Sequence, residues 1–254
     1  MKRKKSLKLR ILDILIVIVL VICVVLGYQV WQQWSTKQQE KQAYQDLVAL
    51  AKKPKGNYLE VDWDKLRKEA PDVVAWLYIP NTNINYPIVQ GSDNDFYLRH
   101  AYDKTADRRG TIFLDNEANK DFSDRNSLIY AHNGYSGVMT FAELEKFLDQ
   151  QFFNDNQYLY LLTPQGNYRC PILAMSKVTT DSQLYQTQFN DDASWQNYLT
   201  NLSQGALYQR PELIKQASKI ITLSTCDETY GIHTKHRYLL QAALEPYSEK
   251  IPAP

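Results

Sequence analysis

Cysteine is scarce in this chain of 254 residues, which has three: Cys23, Cys170 and Cys226. Cys23 falls inside a long apolar run, so the rest of the chain can close at most one disulfide, and a scaffold stapled by disulfides is excluded. The fold must stand on a hydrophobic core, which about 200 residues suffice to build. A basic field is missing as well. Six cations crowd into the first ten residues, and with these set aside 23 Lys and Arg face 28 Asp and Glu, a net of −5. A nucleic-acid binder would carry the opposite balance, and no nucleic-acid motif is present. Metal-ligand spacing is lacking too, since His233 and His236 have no third ligand at a workable separation. The chain contains no internal repeat and no low-complexity tract.

What the chain does have begins with residues 1–10, a basic tail free of acidic residues. Residues 11–30 come next, apolar except for Asp13 near the start and Gly27, Tyr28 and Gln29 near the end. About twenty residues at 1.5 Å rise cover the roughly 30 Å of a bilayer core, so the run reads as a membrane-spanning signal anchor. It offers no small-residue cleavage site. The cationic flank stays cytoplasmic, Trp31 and Trp34 mark the outer interface, and the remainder of the chain is extracellular. Residues 31–56 read as a helical stalk, rich in Gln and Lys and free of Gly and Pro until Pro54. Residues 57–254 form the exported domain.

Within that domain a short helix over 63–70 precedes a change of texture to short apolar runs with turn signals. Strands are expected over 73–79, 84–89, 111–115, 127–132, 157–162, 168–179, 220–226 and 237–244. Eight short strands argue for a mainly β fold with helices (α+β), a closed barrel or a sandwich. Helical periodicity appears over 139–151, through Phe141, Leu144, Phe147 and Leu148. It appears again over 191–207, through Trp195, Tyr198, Leu199 and Leu202.

Residues 220–226 end in Cys226, and alternation puts Ile220, Thr222, Ser224 and Cys226 on one face of the strand. Most lone cysteines are small buried hydrophobes, and Cys170 reads that way. A thiol becomes a nucleophile beside a base and a positive field. Arg237, opening the next strand, supplies the field. Among four histidines, His132 ends the apolar run 127–132 and so occupies the same strand-end position as Cys226. His100, His233 and His236 lie in polar stretches and read as solvated. Asp227, beside the thiol, reads either as an orienter of the arginine or histidine or as a solvated strand-end carboxylate.

These residues resemble those of the sortases, and within them class B, over roughly residues 60–244. Thr222-Leu223-Ser224-Thr225-Cys226 is similar to the nucleophile signature TLxTC, and Tyr130-Ala131-His132-Asn133 to the YGHN block with the catalytic histidine. Two longer blocks, residues 76–90 and 93–100, resemble class B, as does a helix inserted between the sixth and seventh strands, here 191–207. Ala131 replaces the usual glycine, and Gly137-Val138-Met139-Thr140-Phe141 departs from the family's G-T-M-F run.

The resemblance implies an eight-stranded sortase-type barrel and a membrane-anchored transpeptidase without metal or organic cofactor. Cys226 would form a thioester with the C-terminal sorting signal of a secreted protein, His132 would act as acid and base, and Arg237 would stabilise the oxyanion or hold the substrate backbone. A backbone N–H near Cys226 would be a second donor. By motif position Asn94, Leu98 and Ser224 would line the substrate groove, and Asp227, beside the thiol, is grouped with them. The acceptor would be a peptidoglycan cross-bridge amine, anchoring surface proteins to the wall, or a lysine of another pilin. A hydrolytic cysteine protease and a tethered binding module without chemistry remain as other readings.

Overall fold

The structure is a computed structural model that describes residues 7–51, 58–134, 140–231 and 234–253. The chain divides into two compact units, Met1–Gln45 and Asp46–Pro254. A single helix, α1 (Leu7–Ala51), runs through the described part of the first. Its window Leu15–Gln32 has a mean hydropathy of 2.4, with none of it buried.

The second unit opens with α2 (Trp63–Glu69), whose Asp62 cap accepts from the Lys65 N–H at 3.1 Å. Then come β1 (Val73–Tyr78) and β2 (Asn85–Val89), buried at every position. Asn81 makes the turn between them at a φ of 60°, a left-handed conformation that asparagine tolerates. The remaining strands are β3 (Phe113–Leu114), β4 (Asn126–Tyr130), β5 (Tyr158–Thr163), β6 (Gly166–Thr179), β7 (Tyr208–Gln209), β8 (Ile220–Cys226), β9 (His236–Ala243) and β10 (Glu245–Tyr247). Helices α3 (Gln150–Asp155), α4 (Asp192–Gly205) and α5 (Pro211–Gln216) lie between them.

The strands pair in the order β6-β5-β1-β2-β3-β4-β8-β9, and β9 pairs back onto β6. Eight strands therefore close a ring, with β7 and β10 added to the edge of β6. Closure removes the exposed edges that would otherwise recruit other chains. Two pairings are parallel, β2 with β3 and β4 with β8. The second puts the C-terminal ends of β4 and β8 side by side.

Strand β8 is buried on both faces up to Thr225, because α4 and α5 cover the outside of the barrel there. Trp195, Tyr198, Leu199 and Leu202 of α4 and Ile214 of α5 pack on Leu173, Ile220 and Leu239. Helix α4 stands between the sixth and seventh ring strands, as the resemblance implies.

The structure departs from the sequence expectations in several places. Over 139–151 the chain forms a 3-10 helix, Ala142–Leu148, followed by the separate helix α3. The strand expected over 111–115 shrinks to two residues and that over 127–132 ends at Tyr130. Strands β7 and β10 and helix α5 have no counterpart among those expectations. Residues 137–139 and His233 lie outside the described residues.

Candidate active site

Parallel pairing matches Tyr130 with Ser224, and antiparallel pairing matches Cys226 with Arg237. One cavity of about 830 Å³ opens where these strands end. His132, Cys226 and Arg237 all line it, as do Asn94, Leu98 and Ser224. The sheet thus brings together six of the seven residues singled out from the sequence.

His132 lies two residues beyond β4, and its Nε2 donates to the Leu98 carbonyl at 2.9 Å. A carbonyl can only accept, so Nε2 carries the proton in this arrangement. The Leu98 segment is a one-turn 3-10 helix, Phe96–Leu98. It is seated against Gly110, where a φ of 64° and the adjacent Tyr97 and Leu98 carbonyls leave no room for a Cβ.

Arg237 spends Nη1 on two backbone carbonyls, those of Thr234 at 2.6 Å and His236 at 2.9 Å. These bonds fix the guanidinium plane and, among the described residues, leave the Nε and Nη2 hydrogens for a ligand in the cavity. Burial pushes the Cys226 thiol above its ordinary range; the Arg237 charge opposes this shift and the Glu228 charge adds to it.

The cavity wall continues through residues that the sequence patterns do not single out. Tyr185 and Ser224 share a hydrogen bond at 2.7 Å between their hydroxyls. The Asp115 carboxylate accepts from Asn94 Nδ2 at 3.0 Å and from Tyr130 OH at 2.9 Å. Burial and then the Asp115 charge push the Tyr130 phenol well up, so it stays a donor. Alternation along β4 could have found Tyr130, because Leu128, Tyr130 and His132 fall on one face.

Asp227 does not line the cavity. It is 1% exposed and caps the 3-10 turn Glu228–Tyr230, accepting from the Thr229 N–H at 3.1 Å. Burial alone would raise its carboxyl, but hydrogen bonds from Thr229 and Tyr238 outweigh burial and hold it below the ordinary range. The expected substrate or orienting role gives way to a capping one, because one step along an extended chain turns the side chain away from Cys226. The Asp227 N–H donates to the His236 carbonyl at 3.0 Å and so cannot double as an oxyanion donor.

The other described histidines are half-buried rather than fully solvated. His100 stacks on Phe96 with ring centroids 3.9 Å apart, and His236 stacks on Tyr230 at the same separation. Cys170 is fully buried, and no disulfide joins it to Cys226.

The sortase domain family model matches residues 77–245. Sortase B of Listeria monocytogenes is 38% identical over 183 residues, 72% of this chain and 72% of the relative. Sortase B of Staphylococcus aureus is 26% identical over 229 residues, 89% of this chain and 93% of the relative. Among solved structures, the Staphylococcus aureus sortase B–substrate complex superposes with a TM-score of 0.70 at 25% identity, covering 85% of this chain and 98% of the other. The Listeria monocytogenes enzyme superposes with a TM-score of 0.62 at 36% identity, covering 70% and 98%. With the family model spanning nearly all of the ring, and relatives of one class aligning along most of the chain, the protein belongs to the sortase family, among the class B cysteine transpeptidases.

Proposed function

We propose that this transpeptidase cleaves the C-terminal sorting signal of secreted proteins and joins them to a peptidoglycan cross-bridge amine. In the productive protonation state the Cys226 thiolate attacks the carbonyl carbon of a threonine in the signal, giving a tetrahedral oxyanion. The free N–H groups of Arg237 neutralise that charge as it develops. The carbon–nitrogen bond then breaks, His132 gives its proton to the departing amine, and a thioester remains on Cys226. An incoming amine loses its proton to His132, attacks the thioester and displaces the thiolate. The signal's other side chains rest against Asn94, Leu98, Tyr185 and Ser224. Residues 11–30 tether the enzyme to the membrane, residues 1–10 stay in the cytoplasm, and the barrel works outside, lifted by the stalk over 31–56.

The observation that carries this reading is the strand register that pairs Cys226 with Arg237 on the cavity His132 lines. Its test uses the full chain in detergent micelles with a panel of sorting-signal peptides, a short glycine amine and a pilin-like lysine peptide, read by mass spectrometry. The expected result is a thioester on Cys226 that passes to the glycine amine, absent in Cys226→Ala. Transfer to the lysine peptide would replace wall anchoring with pilin joining. Release to water alone would leave a protease. No adduct with any peptide would sink the catalytic reading.

A further inference from the structure

We infer that Asn133 is a positioning residue for the thiol, acting on the Cys226 carbonyl and itself anchored by Glu145. The inference rests on the reading of Cys226 as nucleophile. In the β4–β8 ladder, the last bond of the regular pattern runs from the Ala131 N–H to the Ser224 carbonyl, 3.3 Å. A parallel ladder continued one step further would send the Cys226 N–H to the Ala131 carbonyl and the Asn133 N–H to the Cys226 carbonyl. Side chains occupy both acceptors instead. The Thr225 hydroxyl donates to the Ala131 carbonyl at 3.0 Å, and Asn133 Nδ2 donates to the Cys226 carbonyl at 2.8 Å. The main chain can therefore leave the sheet at His132, whose carbonyl accepts from the Phe141 N–H at 2.8 Å, while Cys226 stays tied.

Asn133 is 4% exposed, and its second Nδ2 hydrogen goes to Glu145 Oε1 at 2.7 Å. Both partners are acceptors, which fixes the orientation of the amide, and the carboxylate bond is the stronger kind. On the other side of the same peptide group, the Asp227 N–H is held by the His236 carbonyl at 3.0 Å. The peptide after the nucleophile is thus gripped at its C=O and at its N–H. With that plane fixed, the Cα–Cβ bond of Cys226 keeps its direction towards the cavity. The substrate wall at Leu98, Tyr185 and Ser224 does not depend on this clamp.

The test measures steady-state turnover by the full chain in micelles, using the sorting-signal peptide that labels Cys226 best. In Asn133→Ala, kcat is expected to fall about tenfold or more while KM stays within about twofold, since small misplacements of reacting groups are costly. Alkylation of Cys226 by iodoacetamide should stay within about twofold, because a small electrophile does not need the aligned geometry. Glu145→Ala should lose part of the same kcat, Glu145→Gln should restore it because an amide oxygen still accepts, and Glu145→Ala should add nothing to Asn133→Ala. Should Asn133→Ala fail to fold, the Glu145 pair decides. Wild-type kcat in Asn133→Ala and Glu145→Ala, with Cys226→Ala inert, overturns the positioning inference alone. A parallel fall of kcat and alkylation would likewise overturn it in favour of general loosening. Turnover persisting in Cys226→Ala would instead overturn the catalytic reading beneath it.

Discussion

At the scale of the residue, Cys226 is held between opposed influences. Burial and the Glu228 carboxylate favour the neutral thiol, and Arg237 favours the thiolate. The net direction is upward, so the rate of Cys226 alkylation by iodoacetamide should rise with pH about a midpoint above that of an unhindered thiol peptide. Replacing a cation that stabilises the anion raises that midpoint further, so Arg237→Ala should shift it up. Glu228→Gln, which removes a like charge, should shift it down. A common midpoint for all three proteins would show that the charges do not reach the sulfur.

Gly110 bears on the histidine in a similar indirect way. A methyl group there meets the Tyr97 and Leu98 carbonyls, and the Leu98 carbonyl is the acceptor for His132. Gly110→Ala should therefore cost about 1–3 kcal/mol of stability, the range for strained backbone. It should also lower kcat more than its stability loss explains at temperatures well below unfolding. Chemical denaturation and turnover on one preparation check both. Unchanged turnover would mean that the Leu98 contact does not set the imidazole.

Much of the site is legible in the sequence. Alternation along 220–226 puts Ser224 and Cys226 on one face, and both line the cavity. The same rule carried one residue further turns Asp227 to the other side, where it is found buried. His100 is not legible, because a solvated histidine and one stacked on a phenylalanine four residues earlier look alike in a polar stretch. The roles of Asn133 and Asp115 escape notice because their partners, Glu145 and Asn94, are brought in by tertiary contact.

At the scale of the element, α4 shows what helical periodicity can and cannot tell. Trp195, Tyr198, Leu199 and Leu202 keep a 3.6 spacing and are all buried. The ring of Trp195 stacks on Tyr198 with centroids 5.3 Å apart, and its Nε1 donates to the Ala217 carbonyl at 3.0 Å. Trp195→Ala should cost about 3–5 kcal/mol, the usual figure for emptying a buried aromatic site. Asp191→Ala, which removes the capping box, should cost about 1 kcal/mol. Urea denaturation separates the two; equal losses would mean that α4 is held by its cap and not by its packed face.

The stretch over 141–148 carries a pattern that suggests an α-helix, yet its fully buried residues are Phe141, Leu144 and Phe147. A strict spacing of three is the period of a 3-10 helix, and Leu148, which suggests 3.6, is partly exposed. Helix α5 leaves a fainter sign, a proline at its first turn followed by Glu212. Strands of two or three residues such as β7 and β10 carry no periodicity at all, and their pairing with β6 creates them.

At the scale of the whole molecule, strand order is the least legible property. Two parallel pairings bring together segments far apart in the chain, such as Ser127 and Ile221, and nothing local in either strand names its neighbour. The apolar window at the N-terminus is a different matter, since it is by length and composition a helix that could cross a bilayer. Side chains such as Leu15, Val19 and Leu26 are about half exposed or more. Burying them in lipid is worth about 25 cal/mol per Å² of apolar surface removed from water. In the unit Asp46–Pro254 most of the described large apolar side chains pack within the unit itself, Tyr58, Tyr158, Leu207 and Tyr230 being the exposed ones. Full-length chain should therefore move into the detergent-rich phase when a nonionic detergent solution is warmed past its cloud point. A fragment starting at Asp46 should remain in the aqueous phase, unfold cooperatively in urea and keep the thiol reactivity of the full chain. Full-length chain left in the aqueous phase would sink the membrane tether; a fragment that aggregates or loses that reactivity would mean that the barrel depends on the preceding helix.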